Sequence, residues 1–257
     1  QGAGGYQLTQ ADCDRLKVNP ESMVSLYGEP FQKYADNFEL YLDPAAEHQI
    51  KLRRKNFTPP TSGNIDMTSM TADEAQLTIR AAVAAGFTDL KLTGELSKTG
   101  IGGNWGTFIN NKKITKCDLT GVTDWGTTPT LPELAFANCT ALQEVTLPDD
   151  MKVIGTGAFS GCAALTTVNL SQVTWINLNA FWGCTSLETL ALDNVTAIGQ
   201  EAFYGCTGLE TLKIPKCTQF GNYIVTGCKA LTRIEATAAG DFVSTSDGTT
   251  SIEHTAV

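Results

Sequence analysis

The 257-residue sequence contains only two histidines, fewer basic than acidic residues, and no continuous run of about 18 apolar residues. Without such a run, no segment is long and apolar enough to form a membrane-spanning helix. Eighteen Lys and Arg residues against 27 Asp and Glu residues give a net charge of -9. This charge disfavours nucleic acids and anionic membranes as partners, because both would be repelled.

The sequence also lacks the patterns of catalytic and metal sites. No C-x-x-C pair occurs, and the two histidines, His48 and His254, lie outside the regular part of the sequence. A Ser/His/Asp or Cys/His site would need these histidines to fold back onto the rest of the chain. The glycines of residues 100–103 miss the G-x-G-x-x-G spacing of a dinucleotide site. We therefore expect a non-enzymatic protein with no catalytic residue, no metal and no cofactor.

Cysteine, in contrast, is plentiful and regularly placed. Five of the eight cysteines are spaced by 23, 22, 22 and 22 residues: Cys139, Cys162, Cys184, Cys206 and Cys228. The surrounding segments read LAFANCTALQEVTL, GAFSGCAALTTVNL, NAFWGCTSLETLAL, EAFYGCTGLETLKI and YIVTGCKALTRIEA. A fixed repeat of about 20 to 29 residues with this leucine spacing is typical of a leucine-rich-repeat solenoid.

We expect three columns of side chains to face inward along the repeats. After Thr189, the alternation Leu190-Ala191-Leu192 predicts one short strand per coil, and the strands should stack in parallel about 4.8 Å apart. A second inward column consists of Ile154, Ile176, Ile198 and Phe220. A third consists of Phe136, Phe159, Phe181, Phe203 and Val225. Three inward columns predict a three-sided coil with one continuous core.

Two further columns contain only Gly and Asn, the residues that best tolerate a positive φ. The first precedes each cysteine of the ladder and contains Asn138, Gly161, Gly183, Gly205 and Gly227. The second follows the isoleucine column and contains Gly155, Asn177, Gly199 and Gly221. We predict a tight corner with a left-handed backbone at both columns.

The repeat continues upstream with longer spacing. Cys117 and Leu119 match the inward strand pair, and so do Leu90 and Leu92. The additional residues fall in two loops, at 100–111 and 123–130, where insertions in a solenoid often carry function. Before these coils, a capping box at Thr71-Ala-Asp-Glu74, a run of strong helix formers and Gly86 predict a helix over 72–85.

These patterns divide the chain into three parts. Residues 1–66 do not follow the period, and we interpret them as an N-terminal α+β cap or small domain, with a short helix between Asn19 and Gly28 and a strand at Phe38–Leu42. Residues 67–240 form the predicted solenoid, whose regular repeats span 131–236. Residues 241–257 are polar and suit a C-terminal cap and tail.

The repeat unit A-F-x-G-C-x-x-L-x-x-L-x-L, followed by I-G, resembles the BspA-like leucine-rich repeats of secreted and surface proteins from anaerobic gut and oral bacteria. The resemblance covers residues 131–236. It implies an α/β repeat solenoid: a right-handed leucine-rich-repeat coil with one short parallel strand per turn. It also implies a non-enzymatic surface or secreted protein, since some relatives are regarded as adhesins.

The cysteine ladder has two interpretations. Secreted proteins often form disulfides, but equivalent Cβ atoms on adjacent coils should lie near 4.8 Å with parallel directions, and a disulfide needs about 3.8 Å. Free buried thiols that act as small apolar residues are therefore favoured over disulfides.

Two exposed surfaces are candidates for binding. Trp182 and Tyr204 should lie side by side on adjacent coils, where they suit sugar stacking or a protein hot spot, or else lie flat and shield the core. The outward strand positions form the second candidate, either as a partner surface or as an ordinary solvated strand face. Its two columns contain Glu144, Thr167, Thr189, Thr211 and Arg233, and Thr146, Asn169, Ala191, Lys213 and Glu235.

The sequence therefore favours an exported binding protein that recognises a protein or glycan, with adhesion-like function. Gln1 is not preceded by Met, which fits a mature chain whose leader has been removed, so we expect a secreted or cell-surface location, with a lipid anchor as one option. A monomer is expected. The main alternative is a structural spacer or assembly element of a cell-envelope complex, and an enzyme housed in residues 1–70 is a third hypothesis.

Overall fold

The computed structural model describes residues 38–42, 50–54, 60–103, 106–236 and 253–255. The chain divides into two compact units, Gln1–Pro59 and Pro60–Val257. In the first unit, β1 (Phe38–Leu42) pairs antiparallel with β2 (Ile50–Arg54). The strand predicted at Phe38–Leu42 is confirmed, whereas the predicted helix between Asn19 and Gly28 lies outside the described residues.

The second unit begins with a strand and a capped helix. After β3 (Asn64–Asp66), α1 (Ala72–Ala84) starts at the predicted capping box: the Thr71 hydroxyl accepts from the Glu74 N–H at 3.3 Å, and the Glu74 carboxylate accepts from the Thr71 N–H at 3.0 Å. Gly86, with φ of 98°, follows the helix end. The apolar face of α1 is buried in the core of the solenoid. The sequence therefore placed this helix correctly.

One strand per coil builds a parallel sheet along one side of the solenoid. Its first five strands are β3, β4 (Asp89–Glu95), β5 (Lys116–Thr123), β7 (Glu144–Thr146) and β9 (Thr167–Val168). Beyond it, a four-stranded sheet contains β11 (Thr189–Ala191), β13 (Thr211–Lys213), β15 (Arg233–Glu235) and β16 (Glu253–Thr255). We call the outward side chains of these strands the strand face. A short helix, α2 (Leu96–Thr99), follows β4.

A second parallel sheet is formed by two-residue strands later in each coil. Its members are β6 (Thr130–Leu131), β8 (Val153–Ile154), β10 (Trp175–Ile176), β12 (Ala197–Ile198) and β14 (Gln219–Phe220). Successive coils stay in register, so that Ile176 pairs with Ile154 on one side and with Ile198 on the other. The fold is thus the predicted solenoid of stacked parallel strands. The described residues contain little helix, and each regular coil has a second short strand where one strand per turn was expected.

The predicted inward columns form a single core. The phenylalanine column is fully buried and stacks with ring centroids 5.2 to 5.6 Å apart, and Phe108 extends it upstream by one coil. The upstream residues Leu90, Leu92, Cys117 and Leu119 are buried as expected. At the last regular coil, Phe220 and Ala236 are only partly buried against the core. Stacking of identical side chains gives each coil the same cross-section, which explains the strict period.

The two Gly/Asn columns differ from each other. Asn138 and the four glycines that precede the later cysteines have φ between 58° and 77°, which confirms the predicted left-handed corner. The second column does not: Gly155, Gly199 and Gly221 lie outside the left-handed region, so this prediction was wrong. Glycine is needed there because the preceding coil approaches closely. A Cβ on Gly199 would lie 2.5 Å from the backbone nitrogen of Leu178.

The left-handed residues instead lie two positions later in each coil. Their φ angles range from 55° to 61°, and the column contains Leu134, Gly157, Asn179, Glu201 and Tyr223. A left-handed conformation costs an L-residue about 1–2 kcal/mol, and bulky residues adopt it rarely. The column was missed because its residue types give no common signal.

Candidate binding surface

The exposed large apolar side chains of the described residues all lie in one stretch of three consecutive coils: Trp175, Leu178, Trp182, Tyr204 and Tyr223. They belong to the segments that run from the second sheet to the glycine before each cysteine, at residues 175–183, 197–205 and 219–227. We call these segments the coil backs and the five side chains the aromatic surface. None of the five belongs to the strand face. Scattered exposed apolar residues are ordinary, whereas contiguous exposed apolar patches are typical of interaction sites.

The centre of the aromatic surface is a stacked pair. The rings of Trp182 and Tyr204 are 6.2 Å apart between centroids and nearly parallel, at 7°. Their exposed fractions are 41% and 36%. This distance is typical of offset-stacked rings, which overlap only in part. The side-by-side arrangement predicted from the period is therefore present.

Backbone hydrogen bonds hold the pair in place. The Gly183 N–H donates to the Tyr204 carbonyl at 2.7 Å, and the Gly161 N–H donates to the Trp182 carbonyl at 2.7 Å. Because each ring is attached to this ladder at a glycine corner, the spacing of the rings is set by the stacking of the coils. A rigid pair loses little conformational entropy on binding.

The polar residues of the coil backs are mostly amides. The Gln200 side chain donates to the Glu201 carboxylate at 3.0 Å, and Asn222 is exposed. The Oδ1 atom of Asn179 is buried, and no hydrogen bond reaches it from the described residues. Glu201 is the only charged residue in the three segments, which contain no Lys or Arg. The aromatic surface is therefore nearly uncharged, although the chain carries a net charge of -9.

The strand face has a different character, because ion pairs occupy both of its ends. Upstream, Lys116 pairs with Glu144 at 2.9 Å and Lys91 pairs with Asp118 at 3.0 Å. Downstream, Glu235 receives both Arg233, at 3.1 Å, and Lys213, at 3.6 Å. Exposed pairs of this kind contribute about 0–1 kcal/mol each. Three predicted binding residues, Glu144, Arg233 and Lys213, thus already have partners.

The middle of the strand face is uncharged. Thr167 and Thr189 are exposed and Thr211 is half-buried, in the outward file that the sequence predicts. Asn169 is bound to the neighbouring coil instead: its Oδ1 accepts from the Leu147 N–H at 2.7 Å, and its Nδ2 donates to the Leu147 carbonyl at 2.9 Å. The two candidate surfaces belong to different segments of each coil, because the strand face precedes the second sheet and the aromatic pair follows it.

The cysteines of the ladder are buried free thiols. Each Sγ donates to the carbonyl of a phenylalanine on the preceding coil, at 2.9 to 3.1 Å. Burial raises the pKa of Cys139 to about 12 and that of Cys217, outside the ladder, to about 11. A protonated buried thiol is a poor nucleophile. The predicted free thiols are confirmed, while Cys13 lies outside the described residues.

In the described part of the chain, no cluster of His, Cys, Asp and Glu could hold a metal ion. Among the same residues, no helix is long and apolar enough to cross a membrane. The predicted insertion loops contain buried anchors: Phe108 stacks in the core, and the Trp125 indole N–H donates to the Val122 carbonyl at 2.7 Å.

Comparison with known proteins agrees with this architecture. A family model described as BspA type leucine rich repeat region matches residues 107–232 with six copies. No curated protein matches the sequence.

Several solved structures of bacterial leucine-rich-repeat proteins are similar in fold. A Treponema pallidum leucine-rich-repeat protein is 20% identical, with 78% of this chain and 69% of that chain covered and a TM-score of 0.38. A leucine-rich cell surface protein of Faecalibacterium prausnitzii is 21% identical, with 78% and 53% covered and a TM-score of 0.41. A Eubacterium ventriosum leucine-rich-repeat protein is 22% identical, with 56% and 37% covered and a TM-score of 0.45. The chain thus spans about a third to two thirds of these proteins.

The family match covers the same coils as the stacked phenylalanines, the thiol ladder and the glycine corners. Residues 107–232 of this chain are therefore a region of BspA-type leucine-rich repeats.

Proposed function

We propose that this chain is a binding module of an exported bacterial protein, which recognises a protein or glycan at its aromatic surface in an adhesion-like role. A secreted or surface location is supported by the resemblance of the repeats to those of secreted and surface proteins. The leucine-rich-repeat scaffold supports binding, because it presents side chains at fixed spacing over several coils.

The observation that carries the proposal is the stacked and exposed pair of Trp182 and Tyr204. Tryptophan and tyrosine dominate binding hot spots, since each buries a large apolar area at low entropic cost. Here the two rings lie on adjacent coils, and three further exposed apolar side chains belong to the same three coils. A partner that covers them removes apolar area from water at about 25 cal/mol per Å².

The strand face is less favourable for binding. A ligand that used Glu144, Arg233 or Lys213 would have to displace an existing ion-pair partner. Asn169 would have to leave the backbone of the neighbouring coil. We therefore place the contact at the aromatic surface and use the threonine file, which is exposed but lies elsewhere in the coil, as a matched control.

An array of purified glycans and extracellular-matrix proteins tests this proposal. We expect the full chain to bind at least one array component, and we expect Trp182→Ala/Tyr204→Ala to reduce that binding at least ten-fold, as for hot-spot residues. The control Thr189→Ala/Thr211→Ala should bind as the wild type does. Loss of binding in the threonine variant alone would move the site to the strand face.

Absence of any bound component would contradict the proposal. If the chain then associates only with further copies of itself in analytical ultracentrifugation, the alternative function of a structural spacer or assembly element is supported instead. Circular dichroism of each variant excludes unfolding as the reason for lost binding.

A further inference from the structure

We infer that the ligand of the aromatic surface is a neutral glycan chain, an inference that rests on the function proposed above and specifies its partner. The coil backs offer two kinds of group to a ligand: aromatic faces, and amide or carboxylate side chains. A neutral sugar offers the complement, because one face of a pyranose ring presents C–H groups and its edges present hydroxyls.

Charge is the first argument. Across residues 175–183, 197–205 and 219–227, Glu201 is the only ionised side chain, and no Lys or Arg occurs. An anionic polysaccharide would find no cation there and would meet a chain with a net charge of -9. An uncharged ligand avoids both the repulsion and the desolvation of an unpaired charge. The contrast with the ion-paired strand face makes the neutrality a local property of this surface.

The aromatic rings supply the second argument. Sugar C–H groups carry a small positive charge, and they are attracted to the negative face of an aromatic ring. Because the rings of Trp182 and Tyr204 are nearly parallel and offset, successive coils present similar ring orientations to a ligand that runs along the solenoid. Trp175 and Tyr223 lie in the first and third coil backs on either side of this pair in the sequence. A chain of repeating sugar units matches this repeating surface better than a compact ligand.

The polar groups beside the rings supply the third argument. Gln200 is exposed on the middle coil back, and its amide can bond the hydroxyls of a sugar. The Glu201 carboxylate accepts from Gln200 and has further acceptor capacity. Asn222 is exposed on the following coil.

A protein partner is less well suited, because hot spots for proteins are enriched in Arg as well as Trp and Tyr, and the coil backs contain none.

Affinity electrophoresis with soluble polysaccharides tests the inference. The probes are four neutral polymers, namely starch, yeast mannan, galactomannan and laminarin, and two anionic ones, heparin and polygalacturonate. We expect the full chain to be retarded by at least one neutral polymer and by neither anionic polymer. Trp182→Ala/Tyr204→Ala should weaken the retardation at least ten-fold, whereas Trp182→Phe/Tyr204→Phe, which keeps both rings, should retain most of it.

A second variant tests the exposed amides. Gln200→Ala/Asn222→Ala removes both of them, and we expect it to weaken retardation about three- to ten-fold without a loss of melting temperature. The control Thr189→Ala/Thr211→Ala should run as the wild type does.

The outcomes separate this inference from the proposed function. If a matrix protein binds through Trp182 and Tyr204 while no neutral polymer retards the chain, the inference of a glycan ligand is refuted and the proposed binding function stands. Retardation by the anionic polymers alone overturns the inference as well. If the chain binds neither proteins nor polysaccharides, both are refuted.

Discussion

Gly183 and Gly199, which lie on adjacent coils, distinguish the two reasons for glycine in this solenoid. Gly183 has φ of 69°, and a Cβ there would meet no atom within 4 Å. Gly199 lies outside the left-handed region, but a Cβ there would lie 2.5 Å from the Leu178 nitrogen and 2.6 Å from the Asn177 carbonyl carbon. Replacing each by alanine therefore tests conformational strain at one position and coil-to-coil contact at the other.

The expected costs differ by several-fold. Gly183→Ala introduces about 1–2 kcal/mol of left-handed strain, offset by about 0.4–1 kcal/mol from the stiffer unfolded chain, so the net loss is about 0.5–1 kcal/mol. Gly199→Ala forces two coils apart at their backbones, which costs about 1–3 kcal/mol as overpacking. The Gly199 N–H also donates to the Ile176 carbonyl at 2.7 Å, and losing that bond adds about 1 kcal/mol. The stiffer unfolded chain offsets about 0.4–1 kcal/mol of this as well, so the total is about 1.5–3 kcal/mol.

Urea unfolding of the full chain, followed by far-ultraviolet circular dichroism, measures both variants against the wild type. Gly126→Ala serves as a control for strain alone, because Gly126 also has a positive φ of 82° and open space around its Cβ position. We expect Gly183→Ala and Gly126→Ala to unfold at similar urea concentrations and Gly199→Ala to unfold well before them. If Gly199→Ala is as stable as Gly183→Ala, the inference that close backbone contact requires glycine at position 199 is refuted.

Three further predictions concern stability. Burial raises the pKa of Cys217 to about 11 and that of Cys139 to about 12, so both thiols stay protonated in the folded chain at a pH where they ionise in the unfolded chain. The free energy of unfolding should therefore fall as the pH rises from about 9 to about 12. Thermal melts across that pH range measure the loss. Glu201→Gly should raise the free energy of unfolding by about 0.5–1 kcal/mol in urea titration, because it relieves the left-handed strain at this position. A loss of stability would show that Glu201 is not strained. Asn169→Ala should cost about 1–2 kcal/mol in the same assay, because it leaves the N–H and C=O of Leu147 without this partner; an unchanged midpoint would show that water replaces it.

Periodic positions were predictable because one side-chain type recurs in each coil. The buried columns that include Phe181 and Cys184 follow from the period, and so does the adjacency of Trp182 and Tyr204. The period also gave the correct strand positions in the regular coils. Each of these features depends on stacking, which repeats the same local geometry in every coil.

Features that depend on single contacts were not predictable. Gly199 and Gly183 are both glycines, but for different reasons. Gly183 has a left-handed φ, whereas Gly199 is required because the backbone of the preceding coil approaches it closely. Tyr223 has a left-handed φ that its residue type does not suggest. The outward strand column gave no sign that the Asn169 amide bonds the neighbouring coil, because that contact depends on β9 ending at Val168, one residue earlier.

The central claim, that the aromatic surface binds the partner, is tested most directly by hydroxyl-radical footprinting. The full chain is oxidised alone and with the array component or polysaccharide that it binds, and modified residues are quantified by mass spectrometry. We expect lower oxidation of Trp182 and Tyr204 in the complex, with little change at the buried Trp125. Unchanged oxidation of Trp182 and Tyr204, together with protection confined to the strand face, would contradict it.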